Sequence, residues 1–334
     1  MENIKVSVIL PVFNGDKYLA EAIESVLGQT HKNFELIIFD DGSTDGSLDL
    51  ARSYQEKDVR VFVHTRKNKG LVATLNEAIL LSRSDYIVRM DADDICYPDR
   101  IERQLQWMID GDFDLVGGSV DVLEGSSIIR TKVYREESDE IKASILIWGR
   151  NFCHPAVLAR KSLYEKHPYE DFPGIEDFVL WIRLALDKKI KVGNLAASVL
   201  KYRMHEEQVT QSGKDKQWHS SNQLKVMQIV IRESNADISE QDVKAFESLV
   251  RPKKRYMSLR DRTLAIGLMD KLFQSNKLSQ NTMKVLLVIV YLRLKRKSRP
   301  KNKRWLLNQL MVRIKFMGGE NLVKDEYFER KNSG

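Results

Sequence analysis

Residues 86–94 read YIVRMDADD, a short apolar run followed directly by an acidic cluster. The segment Tyr86–Met90 has the length and the aromatic and β-branched content of a buried strand. Carboxylates this close in the chain repel one another unless a cation or a hydrogen-bonding ligand offsets their charge. The stretch therefore predicts one strand of a sheet whose edge carries an acidic, ligand-binding group.

The residues before this stretch alternate between strand-like and helix-like patterns. Further strands are predicted at Lys5–Leu10, Glu35–Phe39 and Val59–His64. Between them lie three segments with apolar residues at helical spacing, at 17–27, 47–55 and 71–81, and a fourth helix is predicted at 99–109. This alternation indicates an α/β fold with a mixed, mainly parallel sheet flanked by helices.

The second half of the chain changes character twice. Shorter strands are predicted at Leu115–Val122 and Ile128–Tyr134, with a turn at Glu124-Gly125, followed by helices near 139–148 and 177–186 and a strand at 199–204. After Lys216 the pattern is helical, with predicted helices at 218–233, 240–249, 254–274, 280–297 and 304–316. We predict an α/β domain over residues 1–215 and a basic helical region over 216–334.

Composition places the chain among globular proteins and exposes a charge asymmetry. Hydrophobic residues make up 43% and charged residues 30% of the 334 residues. The net charge of +7 divides into +16 for residues 251–334, which hold 22 Lys and Arg against 6 Asp and Glu, and −9 for residues 1–250. An acidic body suits cation chemistry, and a basic tail suits an anionic surface.

The two cysteines and the N-terminal sequence indicate in which cellular compartment the protein is expected. Cys96 and Cys153 are too few for a zinc cluster, and free thiols are a simpler interpretation than one disulfide. No secretory signal pattern precedes the first strand. The longest apolar run, Val285–Leu292, is far shorter than the about 20 residues that cross a bilayer. We expect a cytoplasmic protein.

Conspicuous residues follow three of the predicted strands. These are Pro11–Gly15, Asp40–Ser43 and Asp91–Asp94. Because ligands bind at the carboxyl ends of parallel strands, the three segments are expected at one site. Hard cations such as Mg²⁺ and Mn²⁺ take carboxylate ligands and share them with phosphates, and Asp91-x-Asp93 places both carboxylates on one side of an extended segment. Each segment alone is also compatible with ordinary turn chemistry.

Taken together, these motifs resemble glycosyltransferase family 2, inverting enzymes with the GT-A, Rossmann-like fold. The matching segments are Val6–Asn14, Gln29-Thr30, Asp40–Ser43, Asn68–Gly70 with Asn76, Asp91–Asp94, His154-Pro155, Glu176-Asp177 with Trp181 and Arg183, and Tyr202–His205. They extend in order over about the first 210 residues. Each is weak singly, and their combination is specific.

The resemblance implies roles for individual residues. Pro11 and Phe13 would line a base pocket, Asp41 would accept a hydrogen bond from a pyrimidine, and Asp93 would reach the ribose and the metal. The implied donor-binding set is Pro11, Phe13, Asn14, Asp41, Asn68, Gly70, Asp91 and Asp93. The implied ligands of Mn²⁺ or Mg²⁺ are Asp93, Asp94 and His205. How the three aspartates divide the work stays open, and His205 is equally compatible with a structural role.

The resemblance also assigns a general base. Asp177 matches the family's catalytic carboxylate, which takes the proton of the acceptor hydroxyl. On its own, Asp177 would rather be a helix cap. His154 is expected to be structural. Arg66, Lys67 and Lys69 are either diphosphate contacts or solvated loop charges.

The implied reaction is metal-dependent transfer of one sugar from a nucleotide diphosphate donor, with a UDP-sugar expected. The acceptor would be a glycan or a lipid-linked oligosaccharide in surface polysaccharide biosynthesis. The processive members' Gln-x-x-Arg-Trp motif is absent from the sequence. Alternatives are a catalytically degenerate, membrane-associated scaffold and a sugar nucleotidyltransferase. The latter would need a Gly-rich loop where Pro11–Gly15 stands, and a dehydrogenase would need G-x-G-x-x-G after a strand.

The basic tail has an amphipathic segment at 284–316. Apolar residues of 285–294 precede a cluster of Lys and Arg, and Trp305 with further leucines follows. Such a segment is typical of peripheral binding to an anionic membrane, here the inner face of the cell membrane. The alternative is that its apolar residues pack on the catalytic domain and its charges are solvated. Nucleic-acid binding is not expected, because no nucleic-acid-binding motif accompanies the charge.

Overall fold

The structure is a computed structural model. It describes residues 3–146 and 151–205, and, in the C-terminal part, residues 239, 241–242, 244, 266–271, 274, 278–283, 286–287, 290, 309–310 and 312–314.

A nine-stranded mixed sheet forms the centre of the described structure. The strands are β1 (Val6–Val12), β2 (Phe34–Asp40), β3 (Val61–Thr65), β4 (Tyr86–Arg89), β5 (Ile95–Cys96), β6 (Leu115–Glu124), β7 (Ser127–Lys132), β8 (Leu158–Arg160) and β9 (Val192–Met204). Their order is β3-β2-β1-β4-β8-β6-β9-β5, and β7 pairs with β6.

Seven α-helices connect these strands. They are α1 (Asp16–Leu27), α2 (Ser47–Lys57), α3 (Leu71–Leu81), α4 (Arg100–Asp110), α5 (Ser138–Leu146), α6 (Lys161–Lys166) and α7 (Glu176–Leu186). The buried residues of α1 are Leu19, Ala22, Ile23 and Val26, the positions with helical spacing in the sequence. Pro98 immediately precedes Asp99, the N-cap of α4.

The first half of the sheet is parallel. β1 pairs in parallel with β2 on one side and with β4 on the other, and β2 pairs in parallel with β3. All seven residues of β1 and all seven of β2 are buried, as expected for strands that helices cover on both faces. The carboxyl ends of β1, β2 and β4 therefore meet at one edge, as the sequence predicts.

The second half of the sheet contains the antiparallel pairs. β8 pairs antiparallel with both β4 and β6. β9 runs parallel to β6 over ten residue pairs, and its distal part pairs antiparallel with β5, where Lys201 faces Ile95. The sequence identifies only the last six residues of β9. The complete strand returns the chain to the acidic edge from about a hundred residues away.

The chain divides into two compact units. The first comprises residues 1–136, 152–180 and 191–214, and the second comprises 137–151, 181–190 and 215–334. Most of the described residues beyond 240 are helical, including 266–271 and 280–283. The predicted helix 218–233 lies outside the described residues. The proposed boundary at 215/216 stays a prediction.

The described part of the amphipathic segment 284–316 bears on its two interpretations. Leu286, Leu287, Val290, Leu310 and Ile314 are buried. Packing of this segment on the catalytic domain stays a prediction. The basic cluster and Trp305 lie outside the described residues, so membrane binding stays a prediction for them. Within the described residues, no helix has the length and apolarity needed to cross a membrane.

Cys96 and Cys153 are buried free thiols, so the disulfide alternative is excluded.

Candidate active site

The loop after β1 joins the ends of two strands. Phe13 is 52% exposed, and Asn14 has a left-handed backbone, with φ 51°. The Asn14 backbone N–H donates to Ser43 Oγ at 2.9 Å, and the Asn14 side-chain oxygen accepts from the Thr44 N–H at 2.8 Å. Pro11 is buried in β1. An exposed aromatic ring thus stands at the carboxyl edge beside the end of β2.

The second strand end holds a buried carboxylate that the 66–70 loop surrounds. Asp41 Oδ1 accepts from the Lys69 N–H at 2.9 Å and from the Arg66 guanidinium, and Oδ2 accepts from the Gly70 N–H at 2.8 Å. Gly42 has φ 77°, and a Cβ there would lie 2.8 Å from the Asn68 backbone nitrogen, so only glycine allows this close approach. Oδ2 keeps capacity for one more hydrogen bond.

Arg66 is committed to the protein rather than to a ligand. Its Nε donates to Glu77 at 2.7 Å, its Nη2 donates to Thr74 at 3.1 Å, and its guanidinium also binds Asp41. The sequence left Arg66 between a diphosphate contact and a solvated charge, and the structure supports neither role. Arg66 instead holds the carboxylate of Asp41 in place.

The third strand end gathers three carboxylates. Asp91, Asp93 and Asp94 each offer an oxygen, and these atoms lie within 4.8 Å of one another. Asp94 is 1% exposed, and its Oδ1 accepts from the Arg203 backbone N–H at 2.8 Å. Burial and the charges of Asp93 and Asp91 raise the pKa of Asp94 well above its usual value. Burial also raises the pKa of Asp91, although Arg89 opposes this shift.

The end of β9 supplies the remaining groups of this cluster. His205 Nε2 lies 2.9 Å from Asp93 Oδ2, and Arg203 Nε donates to the Asp93 carbonyl at 2.9 Å. Tyr18 of α1 supports both side chains, because its ring centroid lies 5.0 Å from that of His205 and 4.5 Å from the Arg203 guanidinium. The sequence predicts His205 beside the aspartates, and the structure places it there.

The first turn of α7 adds a second pair of carboxylates. Glu176 is buried and Asp177 is partly buried. The charge of Asp177 contributes to the raised pKa of Asp91. Asp177 Oδ1 accepts from the Phe178 N–H at 2.6 Å, a bond within the first turn of the helix. Both the cap and the base interpretations are compatible with this geometry.

Polar side chains of other elements lie next to the first turn of α7. His154 Nε2 contacts the Tyr169 hydroxyl at 2.8 Å, and the Asn76 amide binds the Tyr169 backbone through both its oxygen and its nitrogen. Burial and the nearby Arg89 lower the pKa of His154 well below its usual value, so the imidazole is neutral. His154 Nδ1 lies 4.0 Å from Glu176 Oε1, and because the imidazole is neutral this contact is not an ion pair.

Glu176 should make stability depend on pH. Burial, reinforced by the charge of Asp177, raises the pKa of Glu176 from 4.5 to about 7. Because the folded-state pKa is raised, ionisation costs stability as pH rises from about 4.5 to 7, and the full cost applies above pH 7. We expect Glu176→Gln to stabilise the protein at pH 8.5 by about 2–3 kcal/mol, or about 3–4 °C in Tm, and to have little effect at pH 4.5.

Thermal unfolding at the two pH values measures this effect. The exposed Glu165 of α6 gives a matched control, since Glu165→Gln should leave Tm unchanged at both pH values. A Glu176→Gln variant whose gain in Tm is the same at pH 4.5 and pH 8.5 would contradict the raised pKa.

Several residues of the site have no role predicted from the sequence. Arg89, Tyr18, Arg203 and Tyr169 all lie against the carboxylates or their supports. Two of them left a signal: Arg203 lies in the matching segment Tyr202–His205, and Arg89 is an arginine in an apolar strand pattern, which needs a charged partner. Tyr18 and Tyr169 depend on contacts between elements that are distant in sequence.

Comparison with known proteins gives concordant results. Residues 7–167 match the family model of Glycosyl transferase family 2. EpsE of Bacillus subtilis (strain 168), assigned as a glycosyltransferase, is 32% identical over 206 residues, which are 60% of this chain and 73% of that protein. The O-antigen biosynthesis glycosyltransferase WbnJ of Escherichia coli is 32% identical over 213 residues, 62% of this chain and 82% of that protein. In longer relatives the match spans about a third of the protein.

A solved structure shares the fold. The crystal structure of residues 1–349 of S. aureus TarS in complex with UDP-GlcNAc has a TM-score of 0.58 with this chain. The superposition covers 98% of this chain and 92% of that chain at 16% sequence identity. At this identity the likeness concerns the fold alone.

Proposed function

Because the chain belongs to glycosyltransferase family 2, we propose that it transfers one sugar from a nucleotide diphosphate donor, with inversion, to a hydroxyl group of a glycan or lipid-linked oligosaccharide. The observation that carries the proposal is the cluster of Asp91, Asp93 and Asp94 at the carboxyl edge of the sheet. The charge of Asp177 also contributes to the raised pKa of Asp91. The cluster suits a metal-bound diphosphate, and Asp177 suits a general base.

The donor is proposed to be a UDP-sugar. Asp41 supports this, because its Oδ2 has room for one hydrogen bond from the N–H of a uracil ring, while Arg66 and two backbone amides hold the carboxylate still. The exposed ring of Phe13 at the same edge offers a surface for stacking on the base. The S. aureus TarS structure contains UDP-GlcNAc, which agrees with this donor class.

The acidic cluster fits a divalent cation. Three carboxylates within 4.8 Å provide the oxygen ligands that Mn²⁺ and Mg²⁺ prefer. Asp94 Oδ2 and His205 Nδ1 are buried and lack hydrogen-bond partners among the described residues, so both can accept a new contact. We assign Asp93, Asp94 and His205 to the cation and Asp91 to the donor. A bound cation supplies positive charge beside the donor diphosphate.

Asp177 is proposed to act on the acceptor. The acceptor hydroxyl oxygen forms a bond to the anomeric carbon while the bond from that carbon to the diphosphate oxygen breaks. The hydroxyl proton passes to the Asp177 carboxylate, and the nucleoside diphosphate leaves with the bonding electron pair. Attack from the side opposite the leaving group inverts the anomeric centre.

A relative supports the proposed acceptor class. The E. coli relative WbnJ is named for O-antigen biosynthesis. We therefore place this transfer in the synthesis of a surface polysaccharide, with residues 1–215 as the catalytic domain.

A panel of nucleotide sugars tests the proposed function. The full chain is incubated with UDP-, GDP- and dTDP-sugars, with Mn²⁺ or with EDTA, and release of nucleoside diphosphate is measured. We expect release from one or a few UDP-sugars and loss of release in EDTA. Formation of pyrophosphate from a sugar 1-phosphate and a nucleoside triphosphate would instead identify a nucleotidyltransferase. A folded protein that neither binds nor consumes any donor would indicate the degenerate alternative.

A further inference from the structure

Arg89 is a buried cation at the centre of the candidate site. It is the last residue of β4 and is 3% exposed. Its backbone N–H donates to the Val157 carbonyl at 3.0 Å, and its own carbonyl accepts from Arg100 Nη2 at 2.8 Å. The backbone is therefore held on both sides, and the guanidinium has little freedom to leave the site.

The guanidinium of Arg89 faces carboxylates. Its Nη1 lies 2.6 Å from Asp91 Oδ2, and its Nε has no hydrogen-bond partner among the described residues. Its charge also reaches Asp94 and Glu176, where it favours the ionised forms. Arg89 thus lies between the acidic cluster and the first turn of α7.

The neighbouring Arg100 shows what a purely structural buried arginine looks like here. Arg100 is fully buried, and its hydrogen bonds in the described structure go to neutral groups: Gln104, backbone carbonyls and two sulphur atoms. Arg89 differs because its close partner is a carboxylate of the acidic cluster. Its Nε also keeps an unused donor, which a purely structural arginine would be expected to satisfy.

We propose that Arg89 is the resident counter-cation of the donor site: it fixes Asp91 and offsets the charge of the carboxylates whenever no divalent cation is bound. The inference rests on the proposed binding of a divalent cation by this cluster. In the absence of the metal, the aspartates stay assembled because Arg89 remains. When the metal binds, it does so against the positive charge of Arg89, which weakens its binding and allows the cation to leave with the product.

A direct titration with Mn²⁺ tests this role. We expect Arg89→Met, which removes the charge but keeps an unbranched side chain, to bind Mn²⁺ about tenfold more tightly at pH 8 by calorimetry, because a like charge is gone. Arg89→Lys keeps a positive charge on the same side of Asp91, because the neighbouring carboxylates favour the protonated amine, and should bind Mn²⁺ within about twofold of wild type. Ordinary damage to the site would weaken binding instead, so weaker or unchanged binding by Arg89→Met overturns the proposal.

If Arg89→Met folds poorly, measurements of thermal unfolding still test the proposal. Without metal, Arg89→Met should have a lower Tm than wild type, and the double variant Arg89→Met/Asp91→Asn should regain at least half of the loss, because the unpaired carboxylate is gone. A double variant no more stable than Arg89→Met would overturn the pairing. If wild type itself binds no Mn²⁺, the proposed metal site fails together with this inference. Binding by wild type with no gain in Arg89→Met defeats the inference alone.

Discussion

Asp177→Asn is expected to lower kcat about a thousandfold while leaving donor binding intact. Asparagine keeps the size of the side chain and its capacity to cap α7, but it cannot accept the proton of the acceptor hydroxyl at neutral pH. General bases contribute about 10²- to 10⁴-fold to rate. Because Asp177 acts on the acceptor, KM for the donor and the affinity for Mn²⁺ should change by less than about threefold.

Transfer assays with the best donor of the panel measure this loss, and calorimetry measures donor binding. Asp171, an exposed residue in the loop before α7, gives a matched control, and Asp171→Asn should keep full activity. Near-wild-type kcat in Asp177→Asn would remove Asp177 from the role of base. Equal loss of donor binding would instead place Asp177 in the donor site.

Asp93→Asn is expected to lower kcat/KM about a thousandfold through the metal. Asp93 joins the acidic cluster to His205 at 2.9 Å, so its replacement removes one charged ligand and the partner of a second. Loss of stabilisation of the leaving diphosphate by about 4 kcal/mol corresponds to this factor. Unlike Asp177→Asn, this variant should also lose most of its Mn²⁺ affinity.

Calorimetric titration with Mn²⁺ separates the two variants. Asp99→Asn serves as the control, because the Asp99 side chain is 48% exposed, makes no capping hydrogen bond at the start of α4 and is not part of the acidic cluster. Asp99→Asn should bind Mn²⁺ as wild type does. An Asp93→Asn protein with unchanged Mn²⁺ affinity would show that the cation lies elsewhere.

Local patterns were sufficient to predict much of the fold. The four early strands and the three helices between them have clear apolar periodicity and are confirmed within a few residues, with α3 predicted over its full range Leu71–Leu81. The predicted family and its GT-A fold are also confirmed. The strand-end rule places the segments Pro11–Gly15, Asp40–Ser43 and Asp91–Asp94 at one edge, because parallel neighbours end at the same edge.

Tertiary contacts account for what the sequence did not predict. The first half of β9 contains Gly193, Asn194 and two alanines, which weaken a strand pattern, and its pairing with β6 decides its conformation. Arg203 contacts Tyr18 and also pairs with Glu21, which lies 182 positions earlier in the chain. Tyr169 lies in a connecting segment whose position depends on Asn76. No short stretch of the sequence predicts these long-range contacts.

The pairing of β9 with β6 and β5 has a consequence for biosynthesis. The contacts of Asp93 and Asp94 with Arg203 and His205 can form only after the chain has been synthesised as far as residue 205. On the ribosome, synthesis proceeds from the N-terminus, and long-range pairings form late. A nascent chain that already displays every acidic motif up to Asp177 therefore still lacks the strand that completes the cluster. We therefore expect the acidic cluster to be completed late in translation, after the central sheet has begun to fold.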